Sequence, residues 1–77
     1  MQLLTLGNGT SRAVKLQFEF GSGTYGLRIP PRDEIELQLP AEAIGAMLNQ
    51  NQDIGLQFVD GGKRTPAGLW FKIGGGL

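Results

Sequence analysis

The chain contains no cysteine and no histidine among its 77 residues. Disulfides are therefore excluded, and so are the usual thiolate and imidazole zinc ligands. The Ser–His dyad and the thiolate nucleophile go with them. Charge is sparse, at 18% of residues, and seven basic and seven acidic side chains cancel to a formal net charge of zero. The strongly basic footprint of a nucleic-acid binder is missing at the level of the whole chain. No apolar run approaches the ~20 residues that cross a bilayer. A charged start and apolar h-region are also lacking, which makes a cytoplasmic location the expectation.

Short length sets the next constraint. Domains below roughly 70–80 residues gain only about 3–5 kcal/mol from their cores and usually carry a staple. With cysteine and metal ligands gone, the remaining routes are good packing, an idealised backbone or self-association. Asn8-Gly9-Thr10 fits the glycosylation pattern but, with no secretion signal, reads as a turn.

What is present is alternation. From Ala13 to Phe20 every even position is apolar, while Lys15, Gln17 and Glu19 are polar. Period two of this kind predicts a strand with one buried face. Tyr25, Leu27 and Ile29 predict a second such strand, Ile35, Leu37 and Leu39 a third, Ile54, Leu56 and Phe58 a fourth, and Leu69, Phe71 and Ile73 a fifth. Leu3–Leu6 adds an N-terminal strand, which Asn8-Gly9, a strong two-residue hairpin signal, should join to the strand from Ala13. That turn puts Leu4 and Leu6 outward, whereas a three-residue loop would reverse the faces. One short helix is predicted from Pro40, which suits a first helical turn. Glu42 complements the positive end of that helix, and Ile44, Met47 and Leu48 make its apolar face. Residues 74–77 read as a loose tail behind a single domain of residues 1–73.

Inward rows must meet inward rows, and this sets an expected register. A loop over Gly21–Thr24 pairs Phe20 with Tyr25, Phe18 with Leu27 and Leu16 with Ile29. A loop over residues 30–34 then pairs Ile29 with Ile35 and Leu27 with Leu37. Both choices set Arg28 between Gln17 and Glu36, where a cross-strand ion pair contributes roughly 0.2–1 kcal/mol.

Three motifs invite a functional reading. Gly21-Ser22-Gly23-Thr24-Tyr25-Gly26 satisfies G-x-G-x-x-G, but a dinucleotide site needs a helix after the glycines, and a strand follows here. The same residues locally resemble the protein-kinase glycine loop, yet the chain has no H-R-D or D-F-G motif to complete it. Gly61-Gly62-Lys63-Arg64-Thr65 departs from a P-loop in its first glycine and in the residue after lysine. Glu34 and Glu36 lie on one strand face about 7 Å apart, a spacing two glycosidase carboxylates can share. They project from one exposed strand, however, with no cleft. A non-enzyme is expected, with no cofactor and no metal.

Trp70 and Lys72 fall on the outer face of the last strand. There Trp70 has three readings: packing within the chain, a subunit contact, or a stacking platform for a base. Tryptophan is enriched in interface hot spots. The candidate interface is therefore Trp70, Lys72, Val59, Leu4 and Leu6. The long loop Asp60–Gly68 carries Lys63 and Arg64, the candidate anion or nucleic-acid contacts.

The expected fold is mainly β (α+β): a single antiparallel sheet or small barrel of five or six strands with one short helix, in the order β-β-β-β-α-β-β. Strand order alone resembles an OB-fold, and an SH3-like barrel fits nearly as well. The expected function is a non-catalytic protein-binding module, self-associating as a homo-oligomer, of the kind small accessory proteins of phages or mobile elements provide. The alternative implied by the OB resemblance is a single-stranded nucleic-acid binder using Tyr25–Leu39 and the Asp60–Gly68 loop. Zero net charge argues against that alternative, and nothing indicates a membrane partner.

Overall fold

The structure is a computed structural model that describes residues 1–59 and 66–74. The elements are β1 (Gln2–Asn8), β2 (Val14–Phe20), β3 (Gly23–Ile29), β4 (Asp33–Leu39), α1 (Ala41–Gln50), a short 3-10 turn (Gln52–Ile54), β5 (Gln57–Phe58) and β6 (Leu69–Gly74). The protein is mainly β with one α-helix among the described residues, in the expected element order. Its strands nevertheless divide into two sheets: a four-stranded sheet ordered β4-β1-β6-β5 and the separate hairpin β2-β3. No barrel closes among the described residues, and β5 runs parallel to β6. The single antiparallel sheet or small barrel is thereby corrected to two sheets, while the mainly β fold and the order of its elements stand.

Hairpin β2-β3 keeps the expected faces in a different register. Gly21, at φ 64°, and Ser22 form a two-residue turn, so Phe20 pairs with Gly23, Phe18 with Tyr25 and Leu16 with Leu27. Glycine at the first central position is what the type II′ hairpin turn requires, and that turn follows the natural twist of the strands. The register differs by two residues from the expected one. A slip of two leaves each side chain on its original face, whereas a slip of one would reverse them all.

The Asn8-Gly9 hairpin is not formed. β1 instead occupies the middle of the large sheet, antiparallel to both β4 and β6. Asn8 is buried at the end of β1 rather than exposed in a turn. Its Oδ1 accepts from the Thr10 N–H at 2.9 Å and the Thr10 hydroxyl at 2.5 Å. Its Nδ2 donates to the carbonyls of Arg12 at 2.6 Å and Ile29 at 3.2 Å. One side chain thus bends the chain out of the large sheet and ties it to the end of β3. The Asn-Gly signal marks a turn, but an Asx-type turn between layers.

Nor do β3 and β4 pair, which removes the expected Ile29–Ile35, Leu27–Leu37 and Arg28–Glu36 contacts; the two strands barely touch. The cause lies in Pro30-Pro31-Arg32. Proline fixes a negative φ at residue 31, and Arg32 follows at φ 55°. Those signs are of a type II turn, which splays the flanking strands. Arg28 accordingly faces Lys15 across the hairpin.

The two layers enclose the core. Leu4 and Leu6 of β1 meet Leu16 and Phe18 of β2, Ile29 of β3, and Ala43, Ile44 and Met47 of α1. Ile35, Leu37, Leu39 and Phe71 complete the inner face of the large sheet as half-buried neighbours. Leu4 and Leu6 are fully buried, so they cannot form an outer surface; Leu3, paired with Gln38 and Gly74, takes the outward position. Pro40 is the N-cap of α1 rather than its first residue, its carbonyl accepting from Ala43 and Ile44 at 3.0 and 3.1 Å. β6 extends to Gly74, paired with Leu3, one residue into the expected tail.

Two substitutions test this account. Asn8→Ala leaves the buried Ile29 carbonyl and the half-buried Thr10 N–H without their partner, and should cost about 1–3 kcal/mol in denaturant unfolding. Arg32→Gly should stabilise the fold by roughly 0.5–1 kcal/mol. Relief of a left-handed non-glycine residue is worth about 1–2 kcal/mol, and glycine's extra chain entropy offsets part of it.

Candidate interaction surface

The outer face of the large sheet carries Glu34, Glu36 and Gln38 from β4, Leu3, Thr5 and Gly7 from β1, and Trp70 and Lys72 from β6. Trp70 does point outward, as its place in the alternation requires, yet it is only 4% exposed. Gly7 is its direct cross-strand partner. A Cβ on Gly7 would collide with Cε2, Cζ2 and Nε1 of Trp70, so the indole rests on bare backbone where any other residue would hold it off. The Lys72 ammonium sits 5.8 Å from the ring centroid, within range of a cation–π contact. Trp70 therefore fills the gap left by glycine in the central strand and is not a free surface. Val59, 6% exposed, is likewise covered, its N–H donating to the Phe71 carbonyl at 2.9 Å. Of the five interface candidates, Leu4, Leu6, Val59 and Trp70 are buried within one chain, and Lys72 is half-buried. Lys63 and Arg64 lie outside the described residues.

Open strand edges form a different surface. A two-residue turn makes Phe20–Gly23 a hydrogen-bonded pair, so by alternation Lys15, Gln17 and Glu19 direct their backbone groups away from β3. Two amides at the end of α1 meet that edge. Gln50 accepts from the Glu19 N–H at 2.8 Å and donates to the Glu19 carbonyl at 2.9 Å, as a neighbouring strand would. Asn51 donates to the Gln17 carbonyl at 3.0 Å and to the Met47 carbonyl at 2.8 Å. The last residue of α1 and its C-cap thus cap β2. No comparable cover lies along β3 or β4 among the described residues. Each is seven residues long and paired on one side only.

Their side chains are polarised by charge. Lys15 and Arg28 stand directly opposite each other on the outer face of the hairpin, Lys15 and Arg28 both being exposed. Like charges so placed are destabilising. Glu34 and Glu36 are exposed on the outer face of β4, beside Asp33 at its start. Tyr25, 45% exposed, stacks on Phe18 at 5.4 Å between ring centroids. A further apolar patch holds Phe58 and Ile73, 58% and 40% exposed, next to a groove of about 520 Å³ between α1 and β6 lined by Leu48, Leu56 and Phe71 with neutral amides.

The groove beside α1 holds no titratable group among the described residues. Among the described residues no three His, Cys, Asp or Glu side chains come close enough to hold a metal ion. The G-x-G-x-x-G residues form a hairpin turn and the start of β3. None of the described helices is long and apolar enough to cross a membrane. Comparison with family models, with curated proteins and with solved structures finds no match to this chain.

The packing of Trp70 on Gly7 has a direct test. Gly7→Ala should cost about 1–3 kcal/mol as an overpacked site and shift the emission of the only tryptophan to the red as the indole is displaced. In a Trp70→Ala background the same substitution should cost far less. Additive costs in the two backgrounds would contradict the contact.

Proposed function

We propose that this protein is a non-catalytic protein-binding module that self-associates, and that it does so along open strand edges rather than through Trp70. The observation that carries the reading is the uneven treatment of its edges. β2 is covered by two side-chain amides, while β3 and β4, consecutive seven-residue strands, receive no comparable cover from the described residues. Exposed edges present unpaired N–H and C=O groups to any extended partner, and proteins that do not use them usually cover, shorten or bend them. Strand addition uses main-chain hydrogen bonds for affinity and flanking side chains for selectivity. Leu27, Ile35, Leu37 and Leu39 are half-buried beside these edges, and an added strand would complete their burial.

The nucleic-acid reading has less support. It needs stacking rings beside cations, but Tyr25 is engaged by Phe18 and Trp70 is covered. Salt-sensitive binding of a labelled oligonucleotide, followed by anisotropy, would reinstate it.

Self-association is read by light scattering and sedimentation, from micromolar to millimolar chain. The expected mass is a multiple of 8.3 kDa, falling on dilution. Proline is tolerated on a strand edge where its missing N–H faces solvent. Gly26→Pro and Gln38→Pro should therefore stay folded while losing association. A wild-type chain that remains monomeric at millimolar concentration overturns the proposal.

A further inference from the structure

Three features of the open edges select one mode of association, and the inference rests on the self-association reading above. The first is backbone parity. Gly9 donates to the Gly68 carbonyl at 2.9 Å, extending the β1-β6 ladder. Odd residues of β1 therefore bond to β6, and even residues bond to β4 at Leu39, Leu37, Ile35 and Asp33. Glu34, Glu36 and Gln38 are left with their backbone groups directed away from the sheet. The Glu34 N–H indeed turns to the Asp33 carboxylate at 2.7 Å instead of a strand. By the same alternation Thr24, Gly26 and Arg28 direct theirs away from β2.

The second feature is the side-chain rows. An antiparallel pairing that sets Arg28 against Glu36 brings Gly26 to Gln38, so outward backbone groups meet outward backbone groups. It also brings Leu27 to Leu37 and Tyr25 to Leu39 on the inner face. Within one chain this pairing is prevented by the splayed Pro30-Pro31-Arg32 turn. Between two chains no such turn intervenes.

The third is charge. Joining β3 to a second β3 gathers two Lys15–Arg28 pairs on one face, and joining β4 to β4 gathers two Glu34–Glu36 pairs. Joining β3 to β4 sets Arg28 against Glu36, with Glu34 on the diagonal, and relieves the repulsion that each chain carries alone.

We infer that copies of this chain associate head to tail, β3 of one adding antiparallel to β4 of the next with Arg28 opposite Glu36. The joined strands run β2-β3 of one copy into β4-β1-β6-β5 of the other as one six-stranded sheet. Each copy offers both edges, so the contact is heterologous and repeats until it closes a ring or grows a filament.

Charge reversal tests this. Arg28→Glu and Glu36→Arg should each weaken association about tenfold or more, equivalent to ~1.4 kcal/mol. The double variant should recover it. So should an equimolar mixture of the two single variants. In that mixture the carboxylate introduced at position 28 meets the guanidinium introduced at position 36, and native Arg28 meets native Glu36 at the alternate contacts. Trp70 emission and thermal unfolding establish that the variants are folded. If the wild type associates but neither reversal matters, the head-to-tail pairing is wrong and self-association stands. Sensitivity to Arg28→Glu alone indicates a β3–β3 contact, and to Glu36→Arg alone a β4–β4 contact; either overturns the inference. A monomeric wild type removes both this inference and the reading beneath it.

Discussion

The carboxamide of Asn8 is the point on which the two layers of this protein depend. It is buried where the central strand of the large sheet ends, and its nitrogen and its oxygen each make two hydrogen bonds. A buried amide left unpaired costs about 1–3 kcal/mol, a large share of the stability available to a domain of this size. The alternatives open to the chain at residue 8 are therefore few. It must bend at Thr10, and the end of β3 must lie beside it. From that bend the hairpin β2-β3 folds over the inner face of the large sheet, and α1 fills the remaining side with Ala43, Ile44 and Met47.

Polar residues settle much of what hydrophobic packing leaves open. Gln50 and Asn51 act as a partial strand on β2, so one edge of the hairpin is closed by side chains rather than by backbone. Arg32, held at positive φ directly after Pro30-Pro31, prevents β3 and β4 from continuing one sheet. The consequence is that the two open strands differ in charge: Arg28 on β3, with Lys15 opposite it on β2, and Asp33, Glu34 and Glu36 along β4. A fold that splits a complementary pair of strands within one chain leaves that complementarity available to another copy.

Much of this is legible in the residue pattern, and the losses have definite causes. Period two places Leu16, Phe18, Leu27, Ile29, Ile35, Leu37 and Phe71 on the inward faces, and Trp70 and Lys72 outward, because pleat geometry is local. The hairpin turn at Gly21 is legible too, although its loop is two residues rather than four. Leu4 and Leu6 escape the pattern because Asn-Gly signals a turn without saying which strands flank it in space. For Trp70 the pattern is right about direction and silent about cover, since an outward ring need not be an exposed one. Gly7, its cross-strand partner near the other end of the chain, is the available sign that the ring has a place to lie.

Sequence alone determined the order of the strands, the one α-helix among the described residues and, from β2 onward, the side of most strands that faces the core, although Ile54, expected in a strand, lies in the 3-10 turn before a two-residue β5. Those follow from local periodicity and from the turn chemistry of Gly21 and Pro30-Pro31. Which strands pair was decided only in the tertiary structure, since alternation is equally satisfied by any partner whose apolar row faces the same way. The exposure of Trp70 was decided there as well. It depends on a glycine in another strand, and no window along the chain contains both.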